Sequence, residues 1–373
     1  MRIGILSLNP GHNYGGILQS FALQTILEGM GHHVSIICKN VYEQEPDLLH
    51  SYRYVSRFLR MIIHRSSWET TVIPERVHNR IPKANRLNTD RFMMKYLHRQ
   101  MYNSFVDIKE SDYDCIIVGS DQVWRPIYFE GQYNQSIENA FLSFTKGWKI
   151  KRIAYAASFG TDVWEYNTNQ TEVCGNFLRA FDAVSVREYS GVALCQKYFS
   201  VDACNVIDPT LLLTAEDYLN KIDLSKTPRS KGNLLVYVLD WTEELDSLIE
   251  IVAKEKSLVP FETGIKYNQD NPLDNVYPSV ESWLQGFKDA EFVITDSFHA
   301  CVFSLIFHKP FVVVGNKERG LTRFISFLST FKLENRMLYE VKDNIDWDSI
   351  DFSYADEVLA SFKKHALNFL QSI

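Results

Sequence analysis

Short apolar runs that break off in a cluster of Gly, Ser, Asp or Arg, and then give way to a helical stretch, constrain this chain more than any other feature. RIGILSL is followed by the Gly/Asn-rich loop NPGHNYGG and by ILQSFALQTILEGMG, whose apolar residues recur at helical spacing and which closes on Gly29 and Gly31. HVSIICK supplies the next strand. Strand, crossover helix and strand in that order make a βαβ unit, which implies parallel strands and a right-handed connection. YDCIIVGSD, KRIAYAASFG and AFDAVSVRE read as further strands, and CNVIDPTLLL ends the series with a strand and a turn at Asp208 and Pro209. A second series starts with the strand NLLVYVLDW and the helix EELDSLIEIVAKEK. SWLQGFKDAEFVITDSFHACVFSLIFHKPFVVVG then reads as helix, strand, helix, strand, and ADEVLASFKKHALNFLQSI as a final amphipathic helix.

A chain of 373 residues exceeds the size at which one hydrophobic core stops growing, so two domains are expected. The polar stretch TAEDYLNKIDLSKTPRSKGN, with Pro228 and Gly232, separates the two series. The reading is an N-terminal α/β domain over 1–215, a linker over 216–232 and a C-terminal α/β domain over 233–373. Residues 40–110 are less periodic and look helical or loop-like, a basic insertion at about 45–105, and the last helix is expected to pack back on the N-terminal domain. The fold class is α/β: two doubly wound Rossmann-like domains facing a cleft, GT-B-like, with ligand held beyond the carboxyl ends of the strands.

Composition narrows the function. Net charge is −7, which argues against a nucleic-acid partner. Residues 51–100 depart from that balance, with eleven Lys/Arg against Glu69, Glu75 and Asp90, a local +8. Within them YVSRFLRMIIHR interleaves Arg57, Arg60 and Arg65 with apolar residues at helical spacing. Such a segment either covers the core as a solvated helix or lies on an anionic membrane surface. The six cysteines are scattered without a CxxC pair, as expected of reduced core thiols in a cytoplasmic protein. The apolar run at the N-terminus is too short for a signal peptide, and no stretch reaches the roughly 18–20 residues needed to span a bilayer.

Chemistry is sought at the strand ends. Asn13, Tyr14, Gly15 and Gly16 open the first helix, where backbone N–H groups favour an anion or a sugar hydroxyl, although Gly pairs also serve steric needs. No GxGxxG or P-loop pattern indicates a nucleotide. Ser120, Asp121, Gln122 and Trp124 combine hydroxyl, carboxylate, amide and indole in a set suited to a carbohydrate, with Asp121 able to accept a hydroxyl proton. Arg187 follows a strand directly and either pairs with Glu188 or another acid, or grips an anion. Thr295, Asp296, Ser297 and His299 gather at a strand-to-helix switch, an anion site beside a titratable group, with Asp296 or Ser297 as a plain N-cap the other reading. Lys317, Arg319 and Arg323 add charge enough for a phosphate or carboxylate. No cluster at metal-ligand spacing is evident.

NYGGILQSFALQTIL, VGSDQVW, IAYAASFG, SVREYSG, DPTLLL and TDSFHACVFSLIFHKPFV, in that order and spacing, resemble the polysaccharide pyruvyl transferase family through most of the chain. The resemblance implies transfer of pyruvate from phosphoenolpyruvate, a co-substrate with no cofactor beside it, onto a glycan, polyprenyl-diphosphate-linked glycans among the acceptors. It maps the family's cleft arginine onto Arg187 and its histidine onto His299, while Ser297 stands where the family carries another arginine. On that basis His299 is the expected acid and Asp121 the expected base. Arg187, Thr295, Ser297, Lys317, Arg319 and Arg323 are expected on the donor side, with Asn13, Tyr14, Gly15, Gly16, Gln19, Ser120, Gln122 and Trp124 on the acceptor side. A lipid-linked acceptor would give the basic stretch a role at the inner membrane face, peripheral to the membrane. The same architecture also serves glycosyltransferases using nucleotide-sugars, and Ser297 admits a non-catalytic glycan-binding homologue.

Overall fold

The computed structural model describes residues 1–40, 74–265, 271–315, 321–339 and 349–373. Its N-terminal half contains β1 (Arg2–Leu6), α1 (Tyr14–Gly29), β2 (His33–Lys39), α2 (Pro74–Asn85), α3 (Leu87–Tyr96), β3 (Arg99–Tyr102), β4 (Cys115–Gly119), α4 (Pro126–Tyr133), β5 (Lys151–Ala157), α5 (Thr168–Leu178), β6 (Ala183–Val186), α6 (Tyr189–Leu194) and β7 (Cys204–Asn205). Helix α7 (Ala215–Lys221) leads to β8 (Leu234–Tyr237), α8 (Glu243–Lys256), β9 (Pro260–Glu262), α9 (Val280–Asp289), β10 (Phe292–Thr295), α10 (Phe298–Ile306), β11 (Phe311–Val314), α11 (Thr322–Thr330), β12 (Met337–Leu338) and α12 (Ser353–Gln371).

Two sheets result, ordered β3-β2-β1-β4-β5-β6-β7 and β12-β11-β10-β8-β9. Every pairing in them is parallel, with Leu6 opposite Val118 in the first and Ile294 opposite Val236 in the second. Helices cover both faces of a parallel sheet, which is why β4 and β10 are buried at every position, and apolar up to Gly119 and Thr295 at their ends, instead of alternating. The strand order reverses between β1 and β4 in the first sheet and between β8 and β10 in the second. A crevice opens at each reversal, where neighbouring crossovers leave in opposite directions, and ligands bind there.

The edge strands β3, β9 and β12 escape a reading by apolar run. RQMY and PFE carry little apolar character, and two residues are too few to show a period. The segment expected as a linker begins instead as α7, because Thr214 and Asp217 form a reciprocal capping box.

Both halves share an apolar core. Ile3, Ile5 and Leu18 belong to one cluster with Trp283, Phe303, Leu328 and Leu370 of the C-terminal half. Helix α1 lies in the middle of it: Tyr14 stacks on Trp283 at 5.6 Å between ring centres, and its hydroxyl donates to the Pro278 carbonyl at 2.8 Å. The Tyr155 ring lies 6.1 Å from that of Phe369 in α12. Intra-chain domain interfaces are ordinarily polar and mobile unless large and hydrophobic; this one has an apolar centre shared by both halves, with polar contacts such as that of Asn88 with the Tyr277 carbonyl at 2.8 Å beside it. All six cysteines are free, five of them buried, and burial pushes the Cys38 thiol up to about 12.

Candidate active site

The two crevices face each other. They merge into a cleft of about 1400 Å³ including its open mouth, lined from β1 by Leu8–Asn13, from β4 by Asp121 and Gln122, from β8 by Tyr237 and Leu239, and from β10 by Asp296–His299. Tyr128, Gln132, Tyr277, Arg323 and Phe324 complete its walls.

At the start of α1 the structure corrects the expected anion site. The Asn13 side-chain oxygen accepts from the N–H groups of Gly15 at 3.0 Å and Gly16 at 3.4 Å, so these donors already cap the helix. Gly15 is small for another reason: a Cβ there would stand 2.1 Å from His299 Nδ1. The glycine admits the imidazole, whereas a Cβ at Gly16 would meet only ordinary contacts, 3.9 Å from the Asp121 carboxylate. Tyr14, expected on the acceptor, is buried between the halves.

After β4 the backbone turns through two left-handed residues, Ser120 with φ of 30° and Asp121 with φ of 57°. Non-glycine residues adopt this region at a cost. The turn is held from outside, the Ser120 N–H donating to the Tyr155 carbonyl at 3.2 Å and the Ser158 N–H to the Asp121 carbonyl at 3.1 Å. It directs the Asp121 side chain to the cleft wall. Gln122 joins it there, accommodated by Gly160, where a Cβ would lie 1.9 Å from the Gln122 Oε1.

Three acceptor-side expectations change. Trp124 is 0% exposed, stacks on Phe141 at 5.1 Å and donates its indole N–H to the Ala140 carbonyl, so it is a core residue with no face left for a sugar. Gln19 and Ser120 are buried beneath the cleft floor, where Gln19 Nε2 donates to Ser120 Oγ at 3.0 Å and to Asp208.

After β10, Thr295 is also corrected. It is fully buried, its hydroxyl donates to the Tyr237 carbonyl at 2.6 Å and accepts from the Ser297 N–H at 3.0 Å. Asp296 accepts from the N–H groups of Leu239 at 2.7 Å and Asp240 at 3.0 Å, tying the end of β8 to that of β10. Ser297 occupies the N-cap of α10 without a side-chain capping bond and lines the cleft with His299.

Beneath them is a buried charge network. Arg187 donates from Nη1 to Asp208 at 2.6 Å and from Nε to Glu188 at 3.2 Å, with Asp121 3.9 Å from Nη2. Burial opposes its charge most strongly, but Glu188, Asp208 and Asp121 together raise the guanidinium above its ordinary value. The paired reading of Arg187 therefore prevails over that of a free anion grip. Burial pushes the Asp208 carboxyl up, and Arg187, His299 and the Thr210 hydroxyl outweigh it, leaving Asp208 below its usual range.

His299 is held low chiefly by burial, Asp208 and Asp121 opposing and Arg187 and Arg323 reinforcing the effect. Arg323 is lowered by burial and by Arg187, and its guanidinium sits 5.4 Å from the Phe298 ring centre while that of Arg187 sits 4.9 Å from it. Among the described residues Arg187 Nη2, His299 Nε2 and Arg323 Nε have no hydrogen-bond partner. Buried orphans of this kind call for a ligand or water. Lys317 and Arg319 lie outside the described residues. Asp208, on which the network converges, was visible in the sequence only as the first residue of a turn.

A chain of two parallel sheets whose strand-order reversals face one another across a polar cleft falls in the GT-B-like class of α/β proteins. The family model for polysaccharide pyruvyl transferase matches residues 13–318, and the chain belongs to that family of transferases. Comparison with curated proteins gives no match. Among solved structures the chain is similar to UDP-GlcNAc 2-epimerase from Neisseria meningitidis bound to UDP-GlcNAc, at 10% identity over 100% of both chains with a TM-score of 0.44. It is similar also to UDP-GlcNAc 2-epimerase from Methanocaldococcus jannaschii, at 11% identity over 98% of this chain and 100% of that one with a TM-score of 0.45. The E. coli heptosyltransferase WaaC with ADP aligns at 11% identity over 84% and 87%, with a TM-score of 0.38.

Proposed function

We propose that the chain moves the pyruvyl group of phosphoenolpyruvate onto two hydroxyls of a glycan, forming a cyclic ketal and releasing phosphate. One observation carries the reading: Arg323 and His299, each with an unpartnered ring or guanidinium nitrogen, line the cleft beside the Asp121 carboxylate where the two crevices meet. A donor bearing a carboxylate and a phosphate suits those nitrogens. Asn9, Asn13, Gln122 and Gln132 offer donors and acceptors for sugar hydroxyls, and Tyr128 and Tyr277 offer ring faces. Arg323 provides charge in the region where Ser297 replaces an arginine of the family pattern.

In this mechanism His299, protonated, delivers its proton to the methylene carbon of the enol, which becomes the methyl group. The adjacent carbon becomes oxocarbenium-like and is attacked by a sugar hydroxyl whose proton passes to Asp121. The C–O bond to phosphorus-bound oxygen then breaks, and phosphate leaves with the electron pair and takes the proton held by Asp121. The second hydroxyl adds to the same carbon, and its proton balances that taken up by the methylene. Burial lowers the proton affinity of His299 in the free protein, and the negative charge of the donor raises it. Proton loading is thereby coupled to donor binding.

Phosphate release that requires both phosphoenolpyruvate and a glycan with a free hydroxyl pair, with an acid-labile pyruvyl ketal in the product, tests the reading. Release of UDP from a UDP-sugar, with no phosphate released from phosphoenolpyruvate, contradicts it. Contact with the membrane through the basic stretch belongs to the same proposal, although Arg57, Arg60 and Arg65 lie outside the described residues. Neutralising these three should weaken binding to anionic vesicles, and unchanged binding removes that part. Among the described residues no helix is long and apolar enough to cross a membrane.

A further inference from the structure

We propose that Asp208 is the positioning residue for His299, a carboxylate clamped by the N-terminal half that pairs with the imidazolium across the interface between the halves. The inference deepens the reading above and rests on it for its activity arm only. Asp208 is 1% exposed and receives groups from several separate pieces of the fold. Its Oδ1 accepts from the Thr210 N–H at 3.0 Å and the Thr210 hydroxyl at 2.7 Å. Its Oδ2 accepts from Arg187 Nη1 at 2.6 Å, from Gln19 Nε2, and from Ser120 Oγ at 3.4 Å. All of these belong to the N-terminal half. They come from α1, the turn after β4, the end of β6 and the turn that follows β7.

His299 is the exception. Its Nε2 lies 3.9 Å from the same Oδ2, and it arrives from α10 in the C-terminal half. That separation is an ion-pair distance, about 1 Å too long for a hydrogen bond, and Nε2 has no other partner among the described residues. On its other edge the ring is packed against Gly15, so the imidazole is held between α1 and Asp208. The carboxylate has five fixed bonds and cannot follow the ring, so the ring must come to it. Protonation of His299 makes Nε2–H a charged donor whichever ring nitrogen held the proton before, and the pair closes.

The groups facing His299 are Asp208, Asp121, Arg187 and Arg323. Asp121 borders the open cleft, whereas Asp208 is sealed beneath it. Loss of the Asp208 charge in Asp208→Asn would leave the imidazole facing two guanidiniums and one carboxylate, so that it holds its proton less tightly.

The test is a proton NMR titration of the His299 ring in the donor-free protein. Asp208→Asn should lower its titration midpoint by about one unit or more, while Thr210→Ala, which removes one bond to the same carboxylate and keeps the charge, should leave it in place. An unmoved midpoint in folded Asp208→Asn overturns the proposal. Should that variant fail to fold, the wild-type protein supplies the measurement. The side-chain carboxyl carbon of Asp208 should shift with the midpoint of His299, and His299→Gln should abolish that shift. A carboxyl signal that stays flat through the His299 titration overturns the proposal equally. In the activity arm, the alkaline limb of kcat for pyruvyl transfer should move down with the midpoint in Asp208→Asn while KM for phosphoenolpyruvate changes less. NMR coupling in a protein without pyruvyl transfer would retain Asp208 as the partner of His299 and dismiss the reaction.

Discussion

The two strand ends that meet across the cleft use their polar residues in opposite ways. After β4 the main chain carries the strain: Ser120 and Asp121 adopt left-handed backbone, their peptide groups are tied to β5 and the residue just beyond it, and the Asp121 side chain is released into the cleft. After β10 the side chains do the holding. Thr295 and Asp296 satisfy the end of β8, and only Ser297 and His299 remain for a ligand. A polar residue at a strand end is therefore chemical when its neighbours' N–H groups already have backbone partners, and structural when they do not.

Breaking the comparison on its chemical side has the largest effect. His299→Ala and Asp121→Asn should each lose about 10²–10⁴-fold in rate, measured as initial rates on variants whose circular dichroism matches the wild type. Near-normal turnover removes that residue from the mechanism. Trp124 marks the structural extreme: Trp124→Ala should cost roughly 3–5 kcal/mol in urea unfolding, and a variant of unchanged stability with weakened glycan binding would restore its place on the acceptor.

The contrast sharpens within one strand end. Asp296→Ala leaves the N–H groups of Leu239 and Asp240 without their carboxylate and should cost about 2–4 kcal/mol, whereas Ser297→Ala should stay within about 0.5 kcal/mol. Equal losses would erase the distinction. The smallest effect concerns pH. Because His299 titrates below its usual value near 6.5, the unfolded chain binds the proton more tightly. Its contribution to stability is complete above about 6.5 and is lost as pH falls toward the depressed native value. Unfolding free energies between pH 7.5 and 5 should fall less steeply in His299→Gln, and identical slopes contradict the assignment.

The parallel sheets were legible because buried strands leave unbroken apolar runs, and the positions of Asp121, Gln122, Ser297, His299 and Arg323 around one cleft followed from reading their ends. What escaped depends on contacts between segments remote in sequence. Gly15 looks like a phosphate-binding glycine until His299, 284 positions later, is placed against it. Trp124 looks like a sugar platform until Phe141 covers it. Gln19 was expected on the acceptor, and its structural role shows only once the Asp208 and Ser120 that receive its buried amide are placed beside it. Asp208 itself resembled a turn residue, which it also is, capping Thr210.

The most direct test of the central claim is isothermal titration with phosphoenolpyruvate of the wild type and of Arg323→Ala, with a UDP-sugar titrated as control. Saturable binding of phosphoenolpyruvate to the wild type, lost or at least tenfold weaker in the variant, is the predicted result. Binding of the UDP-sugar without phosphoenolpyruvate, or phosphoenolpyruvate binding indifferent to Arg323, would contradict it.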